Sequence, residues 1–269
     1  MTMTISADHN LKLGRTDIIV RIHENNSLER IPGSVFVNLH DDENISVQAT
    51  LQVIEERGGR LIELIHPNDV PVDLRERPKI NRYIVFRISG DEHYYIADPN
   101  RIFTDVGRKN DIYLENYGSN VNARQAVETF SDKLLRDFIL EGINTDVIIA
   151  VHNNTGLDLS DPSIILKKKD GQTEKNEPQT NLLSNFLLVT NENHYTRFVN
   201  QNKYNVGLQD NGLILQNRDS SNYNDGSISV YCGIVNKIPY INVEVCSSYS
   251  NALQYQVDML RSVYTREHN

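Results

Sequence analysis

The stretch VFVNLHDDENISVQATLQVI, residues 35–54, decides how this chain is read. It opens as a short, mostly apolar run of the kind that fills a buried strand. It then meets His40, Asp41, Asp42, Glu43 and Asn44 in succession. Beyond them Val47, Leu51 and Ile54 recur at i, i+4 and i+7, an amphipathic helical stripe that ends before Gly58 and Gly59. A strand, a polar turn and a helix make the repeating unit of an α/β sheet. An ordinary turn needs Gly, Asn or Ser, so His and Glu three residues apart at a strand end call for another reason.

Working outward, the same alternation continues. RLIELI (60–65) reads as the next strand. RYIVFRI (82–88) and HYYIAD (93–98) read as two strands flanking the hairpin turn SGDE. Val127, Phe130, Leu134 and Phe138 mark a longer helix, and Leu253, Val257, Leu260 and Val263 a C-terminal one. DVIIAV (146–151) is the most apolar strand and is expected mid-sheet. FLLVT (186–190), NVGLQ (205–209), SISVYCGI (227–234) and YINVEV (240–245) are read as further strands. The pattern predicts an α/β fold: a mixed, mostly parallel twisted sheet with helices on both faces, in a single domain spanning residues 1–269. Residues 1–30 are read as an N-terminal extension or first strand. The segment KKKDGQTEKNEPQTN (167–181) is read as a flexible surface loop, with a lid as the other reading.

The bulk numbers narrow the function classes. Hydrophobic content of 39% with 23% charged residues suits a folded, soluble chain rather than a disordered one. A net charge of -9 argues against a general nucleic-acid binder, because phosphate contacts want a basic face. No apolar run approaches the roughly 20 residues of a membrane span. The N-terminus lacks the apolar stretch of a secretory signal. Cytoplasmic residence is the default expectation, with a secreted or periplasmic one if a leader has been removed. Two cysteines, Cys232 and Cys246, supply neither a disulfide framework nor a cysteine zinc site, and are expected as buried free thiols in strands.

In open α/β sheets ligands bind beyond the carboxyl ends of the strands. At those ends the sequence delivers His40 and Glu43, then Asp98, Asn100 and Arg101, then His152, Asn153, Asn154 and Thr155, and within YINVEV the lone acid Glu244. Two histidines and one carboxylate make a catalytic zinc set with a fourth position left for water. In H-x-x-E a bend can aim residues i and i+3 at one ion, and His152 at a neighbouring strand end is placed to supply the third ligand. His23 and His66 are expected to be exposed or turn histidines. Glu244 stands in an apolar run, where an unpaired carboxylate is costly, so it needs a partner.

With HDDE (40–43), DPNRIF (98–103) and VHNNT (151–155) in this order, and Glu244 in a late strand, the chain resembles the zinc carboxypeptidase superfamily. It is most similar to the branch containing aspartoacylase and succinylglutamate desuccinylase, whose motifs run H-G-N-E, D-L-N-R-x-F and D-L-H-N-T-T. The likeness spans roughly 35–245 but rests on these short islands. It implies one Zn2+ ion held by His40, Glu43 and His152. It implies a substrate carboxylate gripped by Asn100 and Arg101, Glu244 as general base and then general acid, and Asp98 orienting a ligand histidine.

The departures are specific. Asp41 stands where the relatives have Gly, Pro99 replaces a Leu, and the acid before the third ligand is missing from AVH (150–152). The Arg that polarises the scissile carbonyl has two candidates, Arg82 and Arg87. The C-terminal β-domain that narrows the aspartoacylase site has no counterpart before residue 269, from which a more open cleft is expected. The expected activity is a zinc-dependent hydrolase cleaving an amide bond next to a free carboxylate, a carboxypeptidase or peptide amidase. Its partner would be a peptide or an N-acylated amino acid. The alternatives are an N-acyl-amino-acid deacylase acting on a small metabolite, a non-catalytic carboxylate-binding module on the same scaffold, and a metal-free α/β protein whose His and Glu are coincidental.

Overall fold

The computed structural model describes residues 4–26, 33–66, 80–110, 112–114, 120–140, 146–154, 164–167, 173–174, 185–220 and 222–265. Thirteen strands are numbered along the chain: β1 (Ile5–Leu13), β2 (Thr16–Asn25), β3 (Ser34–Asn38), β4 (Gly59–Ile65), β5 (Ile84–Phe86), β6 (Tyr95–Ala97), β7 (Ile112–Leu114), β8 (Val147–Asn154), β9 (Ile164–Lys167), β10 (Thr173–Glu174), β11 (Phe186–Val189), β12 (Asn205–Gln209) and β13 (Tyr240–Cys246). The four longer helices are α1 (Asn44–Arg57), α2 (Val121–Leu134), α3 (Glu192–Gln201) and α4 (Ala252–Val263).

Ten strands form one mixed sheet in the order β1-β2-β4-β3-β8-β13-β11-β12-β9-β10, and β5-β6-β7 form a small antiparallel sheet. The pairs β4/β3, β3/β8 and β8/β13 are parallel, as is β11/β12, while antiparallel pairs extend the sheet towards both edges. DVIIAV does lie mid-sheet, between β3 and β13. Strand β3 is buried along its whole length, and β8 until its last two residues. That is why neither shows polar alternation in sequence.

Period-two geometry sends alternate side chains to opposite faces. Val35, Val37, Ile148 and Ala150 pack with Val127, Phe130 and Leu134 of α2. Phe36, Ile149, Val151, Val243 and Val245 face the other way, into a layer shared by Ala49 and Val53 of α1, Phe198 of α3, and Val257 and Leu260 of α4. Helices therefore cover both faces. The chain leaves β3 to one side, returns as β4, and later fills the other side with β8. Such a reversal opens a crevice at the strands' carboxyl ends.

Four readings need correction or addition. SISVYCGI is not a strand. Residues Ile228–Val230 are α-helical and Tyr231–Asn236 continue as a π-helical turn. The hydroxyl of Ser227 accepts the Val230 N–H at 3.4 Å and starts the helix. Ile228 and Cys232 enter the core on a four-residue spacing that the alternating pattern had concealed. Both cysteines are buried and free, but only Cys246 lies in a strand. Residues 5–25 form a hairpin at the sheet edge. Within 167–181, Thr173 pairs with Lys167, and the rest of that segment lies outside the described residues.

The turn after β6 is held by close backbone contact. A Cβ on Gly226 would stand 2.3 Å from the Arg101 carbonyl oxygen and 2.4 Å from the Gly107 Cα, and Gly226 also has φ +80°. Gly226→Ala is expected to destabilise the protein by about 2 kcal/mol or more. Urea unfolding of the two proteins checks this, and an unchanged midpoint would remove the role assigned to the contact.

Candidate metal centre

The polar turn after β3 brings its own ends together. The Glu43 N–H donates to the His40 carbonyl at 3.2 Å, and the Glu43 carbonyl accepts from Ser46 at 3.0 Å as α1 begins. Glu43 is the N-cap residue of α1, but its side chain makes no capping bond. Asn153 from β8 does that work instead, accepting the Ser46 N–H at 2.9 Å. The Glu43 carboxylate is left to turn to the histidines. Oε1 lies 3.0 Å from His40 Nδ1 and Oε2 lies 2.8 Å from His152 Nδ1. All three residues are buried.

Asp98 arrives from the end of β6. Its Oδ1 is 2.9 Å from His40 Nε2, so the ring nitrogen facing away from Glu43 donates to a carboxylate. The same oxygen accepts the Asn100 N–H at 2.9 Å, which fixes the turn that follows. Arg82 bridges the pair of acids, with Nη1 3.5 Å from Glu43 and Nε 3.5 Å from Asp98. Arg87, the other candidate, pairs with Glu92 at 3.8 Å instead.

Burial alone would push the His40 imidazole down. The Glu43 charge and the hydrogen bonds to Asp98 and Glu43 outweigh burial and raise it to about 9. Burial would raise Glu43, yet the charges of His152 and His40 and their hydrogen bonds hold it at about 2. Asp98 is lowered too: His40 and Arg82 overcome its burial. Glu244 goes the other way. Its burial raises it and the nearby Glu43 charge adds to this, against the opposing pull of His152, Asn154 and Asn242.

This donor set fits a zinc ion. His40, Glu43 and His152 each offer one ligand atom, and these atoms lie within 4.8 Å of one another. With His40 Nε2–H given to Asp98, the neutral ring presents the Nδ1 lone pair to a carboxylate oxygen. Two such lone pairs facing one carboxylate repel unless protons or a cation lie between them. Two imidazoles and a carboxylate are a common catalytic zinc set, and a carboxylate behind a ligand imidazole is its usual support. The ion would replace the proton that holds His40 charged.

Glu244 is the cross-strand partner of His152 in the parallel β13/β8 pair. Its two oxygens accept from Asn154 Nδ2 at 3.1 Å and Asn242 Nδ2 at 3.2 Å, so the lone acid of the apolar strand is partnered. Asn100 receives the Ile228 N–H on its side-chain oxygen at 3.4 Å. Arg101 is ion-paired through Nη1 with Asp225, a residue the sequence had not singled out. Gln256 of α4 was also missed. Its side-chain amide donates to Ser46 Oγ at 2.8 Å and to the His152 carbonyl at 3.1 Å, and accepts from Asn153 at 2.9 Å. A polar residue beside Val257 and Leu260 in an otherwise apolar stripe was the available signal.

His23 and His66 are buried, against expectation. His23 bridges Ser6 Oγ at 2.8 Å and Glu63 at 2.7 Å, linking the three strands at that edge. His66 reaches the Leu39 carbonyl at 3.2 Å, and burial lowers it to about 4, so it stays neutral. Asp41 accepts the His66 N–H at 3.3 Å, which gives the first of the two surplus acids a structural partner; Asp42 is exposed.

No family model matches the sequence, and no curated protein matches it. Solved structures do. A metallopeptidase-like protein from Shewanella baltica OS155 aligns over 97% of this chain and 87% of its own, at 12% identity and TM-score 0.42. An aspartoacylase family protein from Mesorhizobium loti MAFF303099 aligns over 96% of this chain and 66% of its own, at 11% identity and TM-score 0.41. A succinylglutamate desuccinylase/aspartoacylase-like protein from Shewanella frigidimarina NCIMB 400 aligns over 100% and 73%, at 13% identity and TM-score 0.42. These are distant likenesses of chain path and carry no substrate with them. Among the described residues no helix is long and apolar enough to cross a membrane.

Two measurements check the electrostatics. A raised His40 contributes stability that is full below its unfolded value near pH 6.5 and is lost as pH rises through about 9. A depressed Glu43 contributes stability that is present above about pH 4.5 and is lost as pH falls towards 2. Metal-free protein should therefore lose stability between pH 7 and 9.5, and His40→Gln should flatten that limb of the denaturation profile. Zinc addition near pH 7 should release about one proton, read by calorimetry in buffers of different ionisation enthalpy. Zinc uptake with no proton release would contradict the arrangement.

Proposed function

We propose that this chain is a zinc-dependent hydrolase that cleaves an amide bond beside a free carboxylate, as a carboxypeptidase or peptide amidase. The observation that carries this reading is the convergence of His40 Nδ1 and His152 Nδ1 on the two oxygens of buried Glu43, with Glu244 one strand away in register with His152.

Bound zinc would polarise the scissile carbonyl and lower the pKa of a water towards about 7. The protein's own groups supply the remainder. Asp98 holds the His40 ring with its Nδ1 towards Glu43. Glu244, with its carboxyl fixed by Asn154 and Asn242, takes a proton from the attacking water and returns it to the leaving nitrogen. Its upward shift suits that exchange, because a carboxyl nearer neutrality both accepts and gives up a proton readily. Arg82, beside Glu43 and Asp98, is the guanidinium to stabilise negative charge developing on the carbonyl oxygen. Asn100 and Arg101 take the substrate's terminal carboxylate. An N-acyl-amino-acid deacylase would use the same groups on a smaller substrate.

The test is Glu244→Gln. It should retain about one zinc per chain, while kcat on free-acid peptides or N-acetyl amino acids falls at least about 10²-fold. Blocking the substrate carboxylate as an amide should raise KM in the native protein. Turnover by Glu244→Gln at the native rate would end the assignment of the base, and zinc-free purified protein that takes up no zinc would end the metal assignment.

A further inference from the structure

The turn that carries Asn100 and Arg101 is gripped by a second segment, Asn224 to Ile228. Thr104 Oγ1 donates to the Asn224 side chain at 2.8 Å, the Phe103 N–H donates to the Gly226 carbonyl at 2.9 Å, and the Ile228 N–H reaches Asn100 at 3.4 Å. Gly107 and Gly226 close on the Arg101 carbonyl. Asp225 sits in this rigid frame. Its Oδ1 accepts the Ser227 N–H at 2.9 Å, and its Oδ2 receives Arg101 Nη1. The Arg101 and Asp225 side chains are 37% and 30% exposed, so the pair is open to an arriving ligand.

This pairing changes what Arg101 can recognise. A guanidinium alone is a +1 site for a carboxylate; beside a fixed carboxylate it is a neutral fork that still offers directed donors. Arg82, the other guanidinium of the site, already bridges Glu43 and Asp98 at 3.5 Å each, so it is committed and does not offset Asp225. A ligand with one carboxylate can still use the fork, an added cation is drawn to the part-exposed Asp225 carboxylate, and a second carboxylate is repelled by it.

We propose that Asp225 is a specificity residue that sets the Arg101 subsite to accept a terminal residue with a neutral or basic side chain and to reject an acidic one. This rests on the hydrolase reading only for the subsite's purpose. The probes are N-acetyl-lysine, N-acetyl-leucine and N-acetyl-glutamate, titrated by calorimetry at low salt into Glu244→Gln protein supplied with zinc. N-acetyl-glutamate should bind at least tenfold more weakly than N-acetyl-leucine, and N-acetyl-lysine at least as tightly. Asp225→Asn should shrink the gap between lysine and glutamate derivatives to within about threefold, while Asp225→Glu keeps the order. The proposal is overturned if the protein with Asp225 intact binds the glutamate derivative as tightly as the leucine one, if Asp225→Asn keeps the full gap, or if none of the three binds. A separate arm offers peptides ending in Leu and Lys to the zinc-supplied protein with Glu244 intact. Ordered binding without cleavage there would fail the hydrolase reading and leave the subsite standing.

Discussion

The contact on which the rest depends is the buried carboxylate of Glu43 held between two imidazole nitrogens. A carboxylate taken out of water is costly unless charge and hydrogen bonds compensate it. Here the compensation comes from three segments far apart in the chain: the turn that contains Glu43, the end of β8, and, behind His40, the end of β6. Each of those segments needs its own support. Asn153 and Gln256 tie the start of α1 to the end of β8, so the two elements that carry the candidate ligands share one hydrogen-bonded brace. The sheet sets the distances, and the polar brace sets the orientation.

The same economy appears at the turn of Asn100 and Arg101. Pro99 lies between Asp98 and Asn100, where the Asp98 side chain already accepts the Asn100 N–H. A proline there gives up a backbone donor that this bond does not require. The turn is then clamped by glycines on one side and by Asp225 on the other. A long, flexible arginine becomes a directed group because its neighbours, rather than its own rotamer preferences, decide where it points.

Much of this was legible in the residues. Buried parallel strands announce themselves as continuous apolar runs, and β3, β8 and β13 were read from that signal. The ligand candidates followed because polar residues at strand ends have few structural reasons to be His and Glu. The segment from Ser227 onward was misread because Ile228, Val230 and Cys232 satisfy a period of two while Ile228 and Cys232 also satisfy a helical spacing. Burial of Ile228, Ser229 and Val230 alike removes the polar face that would have distinguished them. Asp225 and Gln256 were illegible for a different reason. Their meaning lies in partners more than a hundred residues away, which no local pattern encodes. His23 and His66 look like surface histidines until pairing of β2 and β4 encloses them.

The in-register pairing of Glu244 with His152 has a consequence for how the chain can go wrong. Slippage of β13 by one residue would turn every side chain of that strand to the opposite face. Glu244 would then enter one of the apolar layers without Asn154, and a valine would stand beside the imidazole. The acid thus acts as a proofreading mark within the sheet: only the alignment that builds the candidate metal centre adds Asn154 of β8 to its own-strand partner Asn242. A misaligned sheet would meet the cost of a buried acid short of one partner before it could become a stable alternative.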